Sequence, residues 1–87
     1  MEVNTVNQKL IYAILQEIDT CLNQGVLPLH DDYLQHLSEA GDILEYLLLM
    51  KNERLIGGTL VTKGFNHTPH RMTNINLTHL GRKALHL

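Results

Sequence analysis

Apolar residues recur at three- and four-residue spacing through Leu10, Ile11, Ile14, Leu15, Ile18, Cys21 and Leu22. That period predicts an amphipathic helix of about five turns with one face in a core. Thr5 and Gln8 stand before it at capping-box spacing, and Gly25 is placed to stop it. Val26-Leu27-Pro28-Leu29 is short, and its proline biases Leu27 toward extended backbone. Asp31 and Asp32 can then cap a short second helix carrying Tyr33, Leu34 and Leu37. Ser38-Glu39-Ala40-Gly41-Asp42 interrupts the pattern. A third helix begins at Ser38 or at Asp42, with Ile43, Tyr46, Leu47 and Met50 as its inward stripe. Two short helices joined by a tight turn containing glycine make a helix-turn-helix layout.

The period then changes. Residues 55–62 are β-branched and apolar, and residues 71–77 alternate toward their end, with Ile75 and Leu77 on one face. Both predict strands, joined by a turn-rich tip over 64–70 that pairs them antiparallel. Gly57-Gly58 predicts an irregularity in the first strand. Thr78 can cap a last helix with Leu80, Ala84, Leu85 and Leu87 on its buried side. The expected fold is mainly α with a β-hairpin, an α+β domain in the order helix, helix, helix, strand, hairpin tip, strand, helix. With no internal repeat and no linker, residues 1–87 are expected to form one domain.

Composition adds a core made mostly of Leu and Ile, because the chain has no tryptophan and one phenylalanine. Its one cysteine, Cys21, cannot form an internal disulfide, which favours a reducing compartment. The apolar run Tyr46 to Met50 is far shorter than the roughly 20 residues a bilayer requires. The opening MEVNTVNQ lacks the basic start and cleavage pattern of a secretory leader. A cytoplasmic location without membrane contact is therefore expected. Charge is unevenly spread. Residues 1–50 carry eight acids against one base, Lys9, and residues 51–87 carry six bases against one acid, Glu53. Such a split gives one face suited to an anionic partner, or two halves that neutralise each other.

Three stretches together resemble the YjcQ-like small winged-helix proteins of bacterial and prophage genomes. Residues 9–18, KLIYAILQEI, are similar to the family's first helix. Residues 47–58, LLLMKNERLIGG, are similar to its third helix running into the first wing strand. Residues 77–85, LTHLGRKAL, are similar to the LTxxGxxxL closing element of many winged-helix regulators. The resemblance implies a winged helix-turn-helix fold with DNA-binding architecture and brings no known activity with it. One departure stands out. Such folds often place Gly where the third helix meets the strand, and here the residue is Arg54. Either Asn52 takes the left-handed conformation or Arg54 carries the strain.

For a small regulator binding double-stranded DNA, the candidate contacts are Lys51, Asn52, Arg54, Lys63, His67, His70 and Arg71. They lie at the end of the third helix and along the wing, where cations can meet phosphates or the minor groove. The wing cations could equally be a solvated hairpin tip. The outer face of the third helix argues against base reading, because it carries Glu45, Leu48, Leu49 and Asn52, and Glu39 and Asp42 crowd its start. The alternative is a protein-interaction module, self-associating as a homodimer or acting as an adaptor, through Leu44, Glu45, Leu48 and Leu49. Leu44 and Leu48 would then form an exposed patch, unless the first or last helix covers them. No cofactor, metal or catalytic residues are expected. His67-x-x-His70 lacks further ligands, Pro69 breaks any helix there, and no nucleophile and base stand in a recognisable pattern.

Overall fold

The structure is a computed structural model that describes residues 7–65 and 68–86, apart from the side chains of Lys63 and Thr68. It is a mixed α+β arrangement: helix α1 (Gln8–Asn23), a 3-10 helix (Asp31–Leu37), helix α2 (Ile43–Asn52), strands β1 (Ile56–Lys63) and β2 (Thr68–Leu77), and helix α3 (His79–Leu85). The two strands pair antiparallel.

Helix α1 follows its apolar period. Ile14, Leu15, Ile18 and Cys21 are buried, and Leu10, Ile11 and Leu22 are partly buried beside them. Thr5 lies outside the described residues, and the cap is Asn7, whose side-chain oxygen accepts from Leu10 N–H at 3.2 Å. Gly25, at φ +82°, ends the helix in a Schellman motif: Gly25 N–H donates to Leu22 O and Val26 N–H to Cys21 O, each at 3.0 Å.

The third predicted helix begins at Ile43, so the later of the two candidate starts is the one adopted. Gly41, at φ +72°, turns the chain immediately before it. Asp42 is its N-cap residue, but its carboxylate accepts from Ser38 Oγ at 2.6 Å instead of capping the helix. Ile43, Leu47 and Met50 are fully buried, as their spacing predicts. At the far end Arg54 N–H donates to Lys51 O and Leu55 N–H to Met50 O, a second Schellman motif with Arg54 at φ +65°. Arg54, and not Asn52, takes the left-handed role. A side chain with a Cβ is disfavoured there by about 1 kcal/mol, offset in part by glycine's freedom in the unfolded chain. Arg54→Gly should therefore stabilise the fold by about 0.5–1 kcal/mol, measured by urea unfolding. A loss of stability would mean that the Arg54 side chain makes contacts worth more than the strain.

The strands run further toward the tip than residues 55–62 and 71–77. Lys63 pairs with Thr68 and Thr62 with Pro69. The register slips there by one residue at His70, a bulge that tolerates the adjacent proline. A second irregularity falls at the predicted glycines. Gly58 faces two residues of β2, Asn74 and Ile75, and Asn74 adopts φ +55°. This bulge frees Ile75 N–H to donate to Leu29 O at 3.0 Å. The segment around Leu29 consequently runs along β2, where Thr73 Oγ1 also lies 2.5 Å from His30 Nδ1.

The 3-10 helix departs from the capping expectation. Its N-cap is His30, with no side-chain cap bond. The buried Asp31 carboxylate turns toward β2, accepting from Met72 N–H at 3.4 Å, Arg71 Nε at 3.2 Å and Gln35 Nε2 at 3.2 Å.

Helix α3 is capped by Thr78, whose Oγ1 accepts from Gly81 N–H at 3.0 Å. The same hydroxyl lies 2.5 Å from Arg54 O and 3.0 Å from Leu55 O, so it can donate to either carbonyl. Gly81 and Leu85 are buried and Ala84 is partly buried, but Leu80 is exposed. The expected buried side was thus wrong at Leu80, because the seat of Gly81 against Leu55 O fixes how the helix is rotated. Leu87 lies outside the described residues.

Candidate nucleic-acid interface

The C-terminal turn of α2 and strand β1 enclose an open groove of about 670 Å³, lined by Leu48, Leu49, Lys51, Asn52, Arg54 and Leu60. Helical spacing puts Leu48, Lys51 and Asn52 on adjacent turns of one face. The left-handed turn at Arg54 then folds the chain back into β1, which supplies Leu60 as the opposite wall. Thr78 steadies this corner through the Arg54 and Leu55 carbonyls.

Two expected groups of residues meet in this groove. Lys51, Asn52 and Arg54 came from the candidate DNA contacts, and Leu48 and Leu49 from the candidate protein-binding face. Leu60 had not been singled out; its inward position depends on the strand register, which the irregularity at Gly58 shifts. Asn52 and Arg54 are exposed and Lys51 is half-buried. Among the described residues no carboxylate lines the groove, and neither Lys51 nor Arg54 joins an ion pair. Lys51 also sits where the helix dipole favours a cation.

The remaining candidates are dispersed. His70 is exposed on β2, Lys63 is the last residue of β1, and His67 lies outside the described residues. Arg71 departs from its expected role as an open phosphate contact. Its Nε is 3.2 Å from Asp31 Oδ1, and its Nη2 reaches the Asp32 carboxylate. Hydrogen bonding from Arg71 holds the Asp32 carboxyl below its usual range, and the same pair pushes the guanidinium upward. The charge of Arg71 is thus compensated within the domain, and it fastens the hairpin to the 3-10 helix.

For Leu44 and Leu48 the sequence leaves open an exposed patch or cover by the first or last helix. Both are half-buried and pack against the core, because α2 is short and wedged between the 3-10 helix and the hairpin. Glu45 is exposed at the opposite end of the helix from the groove cations. Cys21 is buried, and burial together with Glu17 raises its thiol pKa, which disfavours the nucleophilic thiolate.

Among the described residues no three His, Cys, Asp or Glu side chains stand close enough to share a metal ion, and no helix is long and apolar enough to cross a membrane. No protein-family model, no curated protein and no solved structure matches this chain.

Proposed function

We propose that this chain is a winged-helix DNA-binding domain that holds duplex DNA through its phosphates. By its resemblance to the YjcQ-like proteins, it would be a small regulator of bacterial or phage origin. The element order supports the winged-helix assignment, as does the extended segment at Leu29 lying along β2 before the helix pair. The observation that carries the functional reading is the groove beside α2, where Lys51, Asn52 and Arg54 converge with no carboxylate among the described residues of the lining. The strain at Arg54 points the same way. A side chain at a left-handed position carries a cost that a contact made by that side chain would offset.

The groove offers phosphate contacts and little for reading bases. Leu48 and Leu49, half-buried in the groove lining, take positions where polar base-reading side chains would stand. Binding should therefore be weakly sequence-dependent and strongly salt-dependent. Fluorescence anisotropy with a labelled random duplex tests this. The wild type should bind at low salt, and Lys51→Ala combined with Arg54→Ala should flatten the log–log salt dependence by about two. An unchanged slope would remove both residues from the interface. Absence of wild-type binding at low salt would end the DNA reading.

A second reading has its own observation. Leu48, Leu49 and Leu60 give the same groove an apolar floor, which suits a protein segment or a second copy of the chain. Concentration-dependent sedimentation that Leu49→Glu abolishes, without DNA binding, would favour it.

A further inference from the structure

Phe65, the chain's one phenylalanine, occupies the turn after β1 and is fully exposed. An aromatic ring in that position adds nothing to the core and keeps its whole apolar surface in water. The neighbouring Gly64, at φ +76°, makes the turn on which the ring stands. The charge around the hairpin is one-sided in sequence as well. From Arg54 to Leu87 there is no Asp or Glu, and of the cations Arg54, Lys63, Arg71, Arg82 and Lys83 in that stretch, Arg71 is compensated by Asp31 and Asp32. Val61 of β1 is also exposed, and the groove cations lie at the hairpin's base.

An apolar pocket on a protein would accept a phenylalanine whatever the surrounding charge. The groove at the hairpin's base, with Lys51 and Arg54 in its lining, favours a polyanion, and a bare ring favours a planar partner face. Nucleic acid supplies both. Wedging the ring into intact duplex would require unstacking a base step. An unpaired base offers its face without that cost. Phe65 lies five residues beyond Leu60, at most about 17 Å of extended chain. That reach spans at most about five base-pair steps from the groove, so both sites can engage one DNA molecule.

We propose that Phe65 stacks on an unpaired base of DNA held by Lys51 and Arg54, directing the domain to bulged or frayed sites. This rests on the DNA-binding reading above. Anisotropy titrations with an intact random duplex and the same duplex carrying one unpaired adenine separate the two ideas. The wild type should prefer the bulged duplex about tenfold, within the range of single base–aromatic stacks. Phe65→Ala should abolish that preference while leaving intact-duplex affinity, salt slope and melting midpoint unchanged, and Phe65→Tyr should restore it. Equal wild-type affinity for the two duplexes, or a preference that survives Phe65→Ala, would overturn the stacking role and leave the phosphate contacts standing. Binding to neither duplex would overturn both. Phe65-dependent capture by phosphatidylserine vesicles without DNA binding would assign the ring to a lipid surface instead.

Discussion

Gly81→Ala should destabilise the domain by about 3 kcal/mol or more, although helix propensity alone favours alanine over glycine by about 1 kcal/mol. A Cβ at Gly81 would overlap the carbonyl oxygen of Leu55, a backbone atom held by hydrogen bonds from Thr78. A flexible side chain could move aside, but this carbonyl cannot move without disturbing the corner after α2. Helix α3 would have to back away, opening the contact of Leu85 with the core and lengthening the Thr78 cap. For a domain of this size the melting midpoint should fall by more than about 12 °C. A rise in stability would show that α3 is not seated on Leu55.

Asp31→Ala should cost about 3 kcal/mol, the second large effect. Asp31 is 5% exposed and its carboxylate accepts from Arg71, Met72 N–H and Gln35. Removing it leaves the buried Met72 N–H without that acceptor and breaks a half-buried ion pair, whose fully buried counterparts cost several kcal/mol. The partner Arg71 side chain is 39% exposed, which keeps the loss at the lower end of that range. Asp32, much more exposed, should matter far less when changed to Ala. The distinguishing measurement is amide hydrogen exchange at Met72, which should accelerate in Asp31→Ala and barely change in Asp32→Ala. Equal effects at the two positions would contradict the account of Asp31 as the anchor of the hairpin.

Much of the fold was legible in the sequence because local periodicity encodes it. The stripes of α1 and α2 and the alternation ending in Ile75 and Leu77 each mark a buried face without reference to distant residues. Gly25 and Thr78 mark ends through backbone chemistry that is equally local. What escaped was long-range. Asp31 and Asp32 have the local signature of helix caps, but Asp31 turns to strand β2, forty residues further along the chain. Arg71 has the signature of an open wing cation, yet those acids compensate it. Leu80 follows helical spacing, but the seat of Gly81 rotates it into solvent. The groove was legible in part. Lys51, Asn52 and Arg54 cluster in sequence, whereas Leu60 joins them only through a register that depends on a bulge. The adjacent acidic pair and the isolated Arg71 were the one available hint of the anchor.

Arg54 holds a left-handed backbone position, and the proposed DNA reading assigns its side chain to phosphate. Parallel measurements on Arg54→Gly, urea unfolding and salt-dependent duplex binding, test it most directly. A more stable domain that binds random duplex more weakly, with the salt slope reduced by about one, is the expected outcome. A more stable domain that binds DNA as well as the wild type would contradict that assignment.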